Sequence, residues 1–133
     1  IAERYISNPK VSFSGRVDFI ASELMKCKIL LAPFAYGTGI KTKVLEAMGM
    51  GVPVVTNSIG IEGMTCEPGV EVEIAETAKE LSSICANLLV NPEKRRAVGL
   101  AGKTYVRRCH DWNASIENLG RCLEFASNGK ARS

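Results

Sequence analysis

The feature that most limits the fold is the way short apolar runs and helix-period segments take turns along the chain. "ILLA" within Lys28–Ala32 and "VPVV" within Val52–Thr56 are apolar without alternation. Strands read that way when both faces of a sheet are covered, which is the habit of parallel sheets. Pro53 weighs slightly against the second run, although a proline is tolerated where a strand begins. Val11–Ser14 and Val70–Ile74 bring the set to roughly four strands. Between them lie segments of helical spacing: Asp18–Cys27 with Asp18 as its cap, Lys41–Met50, and Glu76–Val90, which puts Ala78, Leu81, Ile84, Cys85, Leu88 and Leu89 on one face. Asn91 and Pro92 read as the opening of a helix over Glu93–Arg108. A last helix follows Asp111, where Trp112, Ile116, Leu119, Leu123 and Ala126 form one stripe. Strand, helix, strand, helix predicts an α/β fold of βαβ units, with right-handed crossovers and ligands taken at the carboxyl ends of the strands.

The chain has 133 residues, room for one domain with a core of its own. Hydrophobic residues at 46% and charged residues at 23% exclude disordered and fibrous classes. A net charge of +3 with clusters only at Lys94–Arg96 and Lys130–Arg132 does not make the basic face that nucleic acid needs. The five cysteines (Cys27, Cys66, Cys85, Cys109, Cys122) are widely spaced and form no C-x-x-C, so neither a disulfide framework nor a zinc site is expected. They read as small core hydrophobes in a reducing, cytoplasmic compartment. No run approaches the roughly 20 apolar residues of a membrane span, and no signal peptide opens the chain. "IAERYI" reads as the tail of a helix with no cap before it, as if residues 1–127 were part of a domain cut from a longer chain, with a polar tail over 128–133.

One stretch carries chemistry: "PFAYGTGIKTKVLEAMGMGVPVV", residues 33–55. Pro33 takes the chain out of the sheet at its carboxyl edge. Gly37 and Gly39 permit positive φ and let a ligand approach the backbone. The helix that follows points its free N–H groups and positive dipole end at the crevice, a natural seat for an anion. Lys41 and Lys43 add charge; at i and i+2 they are expected to point to different sides, so that one at most reaches the same phosphate. Glu46 stands seven residues past Gly39, a rise of about 10 Å if all of it is helix. That offset suits a diphosphate at the helix start and a ribose beyond it, whose two hydroxyls one carboxylate can bind. Val44, Leu45 and Met48 are expected to turn inward, with Gly49 and Gly51 ending the helix. The same pattern also fits a strand–glycine–helix joint with no ligand, with Glu46 pairing to Lys43 three residues earlier.

"PFAYGTGIKTKVLEAMGMGVPVVTNSIGIEGM" closely resembles the nucleotide-sugar-binding half of the group 1 glycosyltransferases, retaining enzymes of the GT-B architecture with two Rossmann-like domains. "VSFSGRVDFI" and "HDWNASIENL" extend the resemblance over nearly the whole chain. By that resemblance Glu46 holds the donor ribose, and backbone groups of Gly39, Ile40, Lys41 and Thr42, with Gly37 and Lys43 beside them, meet the diphosphate. Gly15, Arg16 and Val17 match the loop whose backbone reads the base. Many members carry an acidic residue near the donor sugar, eight positions before the ribose glutamate; here Thr38 stands there, and a lysine near the phosphates compensates. The implied reaction is transfer of a sugar from a nucleotide-diphosphate donor with retention, the donor being the substrate and no cofactor or metal being needed. The implied partner is an N-terminal acceptor domain of the same chain. Two alternatives stay open: a nucleotide-binding or interaction module inactive on its own, and an epimerase of the same architecture.

Other groups are weaker candidates. The only aspartates are Asp18 and Asp111, which leaves no Asp-x-Asp metal site, and Glu71–Glu73 reads as a solvent-facing pair. His110 is expected to be structural and Trp112 a packing anchor. Glu62, in "GIEGM", could cap a turn or meet donor or acceptor. The basic patches leave peripheral membrane contact open.

Overall fold

A computed structural model of the chain describes residues 7–110. Three parallel strands, β1 (Leu30–Ala32), β2 (Val54–Thr56) and β3 (Glu73–Ile74), stand side by side in that order. Leu30 pairs with Val54, Leu31 with Val55 and Ala32 with Thr56; Val55 and Thr56 then pair with Glu73 and Ile74. Helices α1 (Ile20–Leu24), α2 (Thr42–Met50), α3 (Ala78–Val90) and α4 (Pro92–Cys109) surround them, and a 3₁₀ turn, Ser58–Ile61, follows β2. The α/β class and parallel sheet expected from the sequence are thus present.

The fourth expected strand is not formed. Val11–Ser14 is exposed and irregular, because a strand exists only where a neighbour completes its ladder, and none of the described residues pairs with it. The same reason trims the others: β1 is three residues long rather than the whole of Lys28–Ala32, and β2 starts after Pro53, whose carbonyl accepts from Leu30 N–H at 2.8 Å. Asp18 is not a cap. Phe19 holds the cap position of α1 with no side-chain hydrogen bond, and Asp18 precedes it by one residue.

The unbroken apolar run of β2 is explained by two cores. Val54 packs with Val44, Ala47 and Met48 of α2 and Tyr105 of α4. Val55 points to the other face, among Leu81 and Leu88 of α3 and Val98 of α4. Helix α2 ends at Gly51, whose φ of 80° lets Val52 N–H turn back to Ala47 O. Gly49, expected to help end it, lies inside the helix and faces Val106 of α4. Helices α3 and α4 open on real caps: Thr77 and Glu80 form a reciprocal capping box, and the Asn91 side chain accepts from Lys94 N–H ahead of Pro92. The expected helix after Asp111, its Trp112 stripe, residues 1–6 and the 128–133 tail lie outside the described residues.

Candidate functional site

The carboxyl ends of β1 and β2 are tied together by one amide. Asn57 Oδ1 accepts from Phe34 N–H at 3.1 Å, and Asn57 Nδ2 donates to Phe34 O at 2.7 Å. Below it, Thr56 Oγ1 donates to Ala32 O at 2.7 Å. The loop that leaves this clamp runs through Gly37 (φ 128°) and Gly39 (φ 74°), conformations that only glycine adopts without strain, and enters α2 at Thr42. The cap position belongs to Lys41, which makes no side-chain cap, so Thr42 and Lys43 N–H begin the helix without intrahelical acceptors.

Both lysines gather round one ring: the ammonium groups of Lys41 and Lys43 lie 5.8 and 5.5 Å from the centre of Phe34. Lys41 is extended (φ −89°, ψ 98°) and precedes the helix that carries Lys43. Their states differ. Lys41 donates to Gly39 O at 2.7 Å, lies 3.6 Å from Glu62 Oε2, and leaves only 10% of its side chain exposed. Lys43 is exposed and makes no ion pair among the described residues. Glu46 is exposed as well, and the alternative pair with Lys43 is not formed. Because α2 starts at Thr42 rather than just after Gly39, four residues of helix, about 6 Å, separate its first N–H from Glu46.

Gly37, Thr38, Gly39, Ile40, Lys41, Thr42, Lys43 and Glu46 therefore belong to one loop and helix start, at the sheet edge where the sequence puts them. Gly15, Arg16 and Val17 lie on the exposed chain before α1, and no hydrogen bond among the described residues ties them to that loop. The clamp by Asn57 and the reach of Glu62 to Lys41 escape sequence reading, since each joins residues more than 20 positions apart. An asparagine directly after a buried strand was the available signal for the first.

Other candidates resolve as structure. Glu71 and Glu73 do not face solvent: Glu71 pairs with Arg108 at 3.0 Å and Glu73 with Lys94 at 2.7 Å, their side chains 12% and 8% exposed. The second contact lacks hydrogen-bond alignment and acts as charge against charge. His110 Nε2 lies 3.0 Å from Tyr105 Oη, which also accepts from Thr65 N–H. Cys66 is buried and Cys85 half-buried, and burial pushes both thiols up, away from the reactive thiolate; Cys27 and Cys109 are exposed, contrary to a core role. No group of three or more His, Cys, Asp or Glu that could hold a metal occurs among the described residues, and none of their helices is long and apolar enough to cross a membrane. A cavity of about 440 Å³ opens at the opposite, amino edge of the sheet, lined by Met25, Lys28, Met50, Pro53, Arg95 and Arg96 among others. No carboxylate is among the residues that line it.

A parallel sheet flanked by helices, with a glycine loop and an open helix start at its carboxyl edge, defines an α/β protein of the Rossmann-like kind. The chain belongs to the group 1 glycosyltransferases, the family "Glycosyl transferases group 1" matching residues 2–91. It is 34% identical over 124 residues to a GDP-mannose-dependent monoacylated alpha-(1-6)-phosphatidylinositol monomannoside mannosyltransferase of Corynebacterium glutamicum, covering 86% of this chain and 32% of that protein. Its fold matches that of sucrose-phosphate synthase from Thermosynechococcus elongatus with a TM-score of 0.77 at 23% identity, over 94% of this chain and 33% of the other. The chain thus spans about a third of the length of these relatives.

Proposed function

We propose that this chain binds a nucleotide-diphosphate sugar along residues 37–46, as the donor side of an enzyme that transfers the sugar with retention. The observation that carries the reading is the joint occurrence, on one element, of open N–H groups at Thr42 and Lys43 with a Lys43 ammonium and a Glu46 carboxylate that are exposed and make no ion pair among the described residues. The first two meet a diphosphate, stabilising the leaving group as the glycosidic bond breaks. Glu46 accepts the ribose hydroxyls. Gly15, Arg16 and Val17 are assigned to the base by resemblance alone. The relative's name makes guanine the first base to try. A second reading, donor binding without turnover by this chain alone, is favoured by its covering only a third of its relatives, which fits a separate acceptor domain.

Calorimetric titration with GDP and UDP tests this reading. One diphosphate is expected to bind, Glu46→Ala weakening it by more than tenfold, about 1.4 kcal/mol, and Lys43→Met weakening it less. Binding indifferent to both substitutions would put the donor elsewhere.

A further inference from the structure

We propose that Glu62 is a donor-specificity residue, whose carboxylate, beside the loop and paired in charge with Lys41, accepts hydrogen bonds from hydroxyls of the sugar beyond the diphosphate. The inference rests on the donor reading above.

Position comes first. From Pro33 to Lys43 the loop contains no acidic residue, so the carboxylate beside it, Glu62, is one that the fold brings to it. Glu62 comes from the turn after β2, and that turn is fixed. At Gly60 the backbone lies directly on Thr56, where a Cβ would overlap the hydroxyl. Ser58 N–H donates to Glu76 at 2.8 Å. Gly63 packs against Ile40 of the loop, so closely that a Cβ there would stand 3.2 Å from Ile40 Cγ1. Turn and loop therefore form one packed unit, and Glu62 is a placed group.

Charge decides what it can bind. A carboxylate beside an anion-binding loop repels phosphate, and its favourable partners there are hydroxyls, two of which it can accept at once. Lys41 offsets its charge: the ammonium lies 3.6 Å from Oε2, is shielded from water, and stays anchored to Gly39 O. Half of the Glu62 side chain remains open, leaving lone pairs for an incoming ligand. With Glu46 assigned to the ribose, the hexose is the remaining hydroxyl-rich part of the donor.

The test compares a nucleotide with its sugar. The 133-residue chain is titrated with GDP and GDP-mannose, and with UDP and UDP-glucose, as wild type, Glu62→Gln and Glu46→Ala, each shown to be folded by its melting curve. Glu62→Gln is expected to leave the bare diphosphate within about twofold while weakening the sugar nucleotide about tenfold, the cost of hydrogen bonds to a charged acceptor. Glu46→Ala weakens both ligands alike. Equal effects of Glu62→Gln on both ligands, or none on either, with the Glu46→Ala loss intact, would overturn the role of Glu62 alone. Absence of binding, or binding that ignores Glu46→Ala, would overturn the donor reading and this inference with it.

Discussion

At single residues the molecule uses glycine in two different ways, and the difference can be measured. Gly39 needs its positive φ but has nothing near a would-be Cβ, whereas Gly60 has ordinary backbone and no space, its would-be Cβ overlapping Thr56. Gly39→Ala is expected to cost about 1 kcal/mol through backbone strain alone. Gly60→Ala is expected to cost about 2 kcal/mol or more through overpacking, and to displace the turn that carries Glu62. Urea unfolding of the two variants separates them, and equal losses would contradict this account. The first glycine was legible in the sequence, because Gly-x-Gly before a helix implies a tight turn. Gly60 was not, since what it touches is set by the strand beneath it. Lys41 and Glu62 show the same division: both were singled out as residues, but their pairing across 21 positions belongs to the fold.

Among the elements, the start of α4 at Asn91 and Pro92 was the most readable and the strand limits the least. Thr77, Glu80, Asn91 and Pro92 determine where α3 and α4 begin through contacts no longer than three residues, which local sequence can specify. The Thr77–Glu80 box also makes the stability of α3 depend on acidity. Hydrogen bonds from the Thr77 hydroxyl, then from its N–H, hold the Glu80 carboxyl below its usual range. A carboxyl depressed in the folded state contributes stability that is complete above its unfolded pKa and is lost as pH falls through the folded one. On acidification below about pH 4 the wild-type melting temperature should therefore fall more steeply than that of Glu80→Gln. Parallel curves would show that the box contributes nothing to folding. Asp18 failed as a cap because the helix begins one residue too late for it, with Phe19 at the cap position. Val11–Ser14 failed as a strand because Val11 and Phe13 alternating with serines supply propensity but no partner.

For the molecule as a whole, the sheet divides two cores, and each face of β2 answers to a different helix set. Val55 is fully buried against α3 and α4, while Leu31, its register partner on β1, is 49% exposed. Val55→Ala is expected to cost about 2 kcal/mol and Leu31→Ala less than about 1 kcal/mol, because only the first opens a cavity. Denaturant midpoints would measure both, and a larger loss at Leu31 would mean that the face is covered. Buried acids follow the same tertiary logic: Glu71 and Glu73 read as surface residues until α4 brings Arg108 and Lys94 to them. The amino-acid sequence by itself determined the α/β class, the parallel sheet, the helices and the loop of residues 37–46, because periodicity, caps and glycines act over a few residues. Only the tertiary structure decided the strand limits, the convergence of Lys41 and Lys43 on Phe34, the Asn57 clamp and the reach of Glu62. The clamp and the reach of Glu62 join residues 23 and 21 positions apart and the strand ladders join residues 18 to 24 apart, while the lysines reach a ring seven and nine positions back, a geometry no local pattern records.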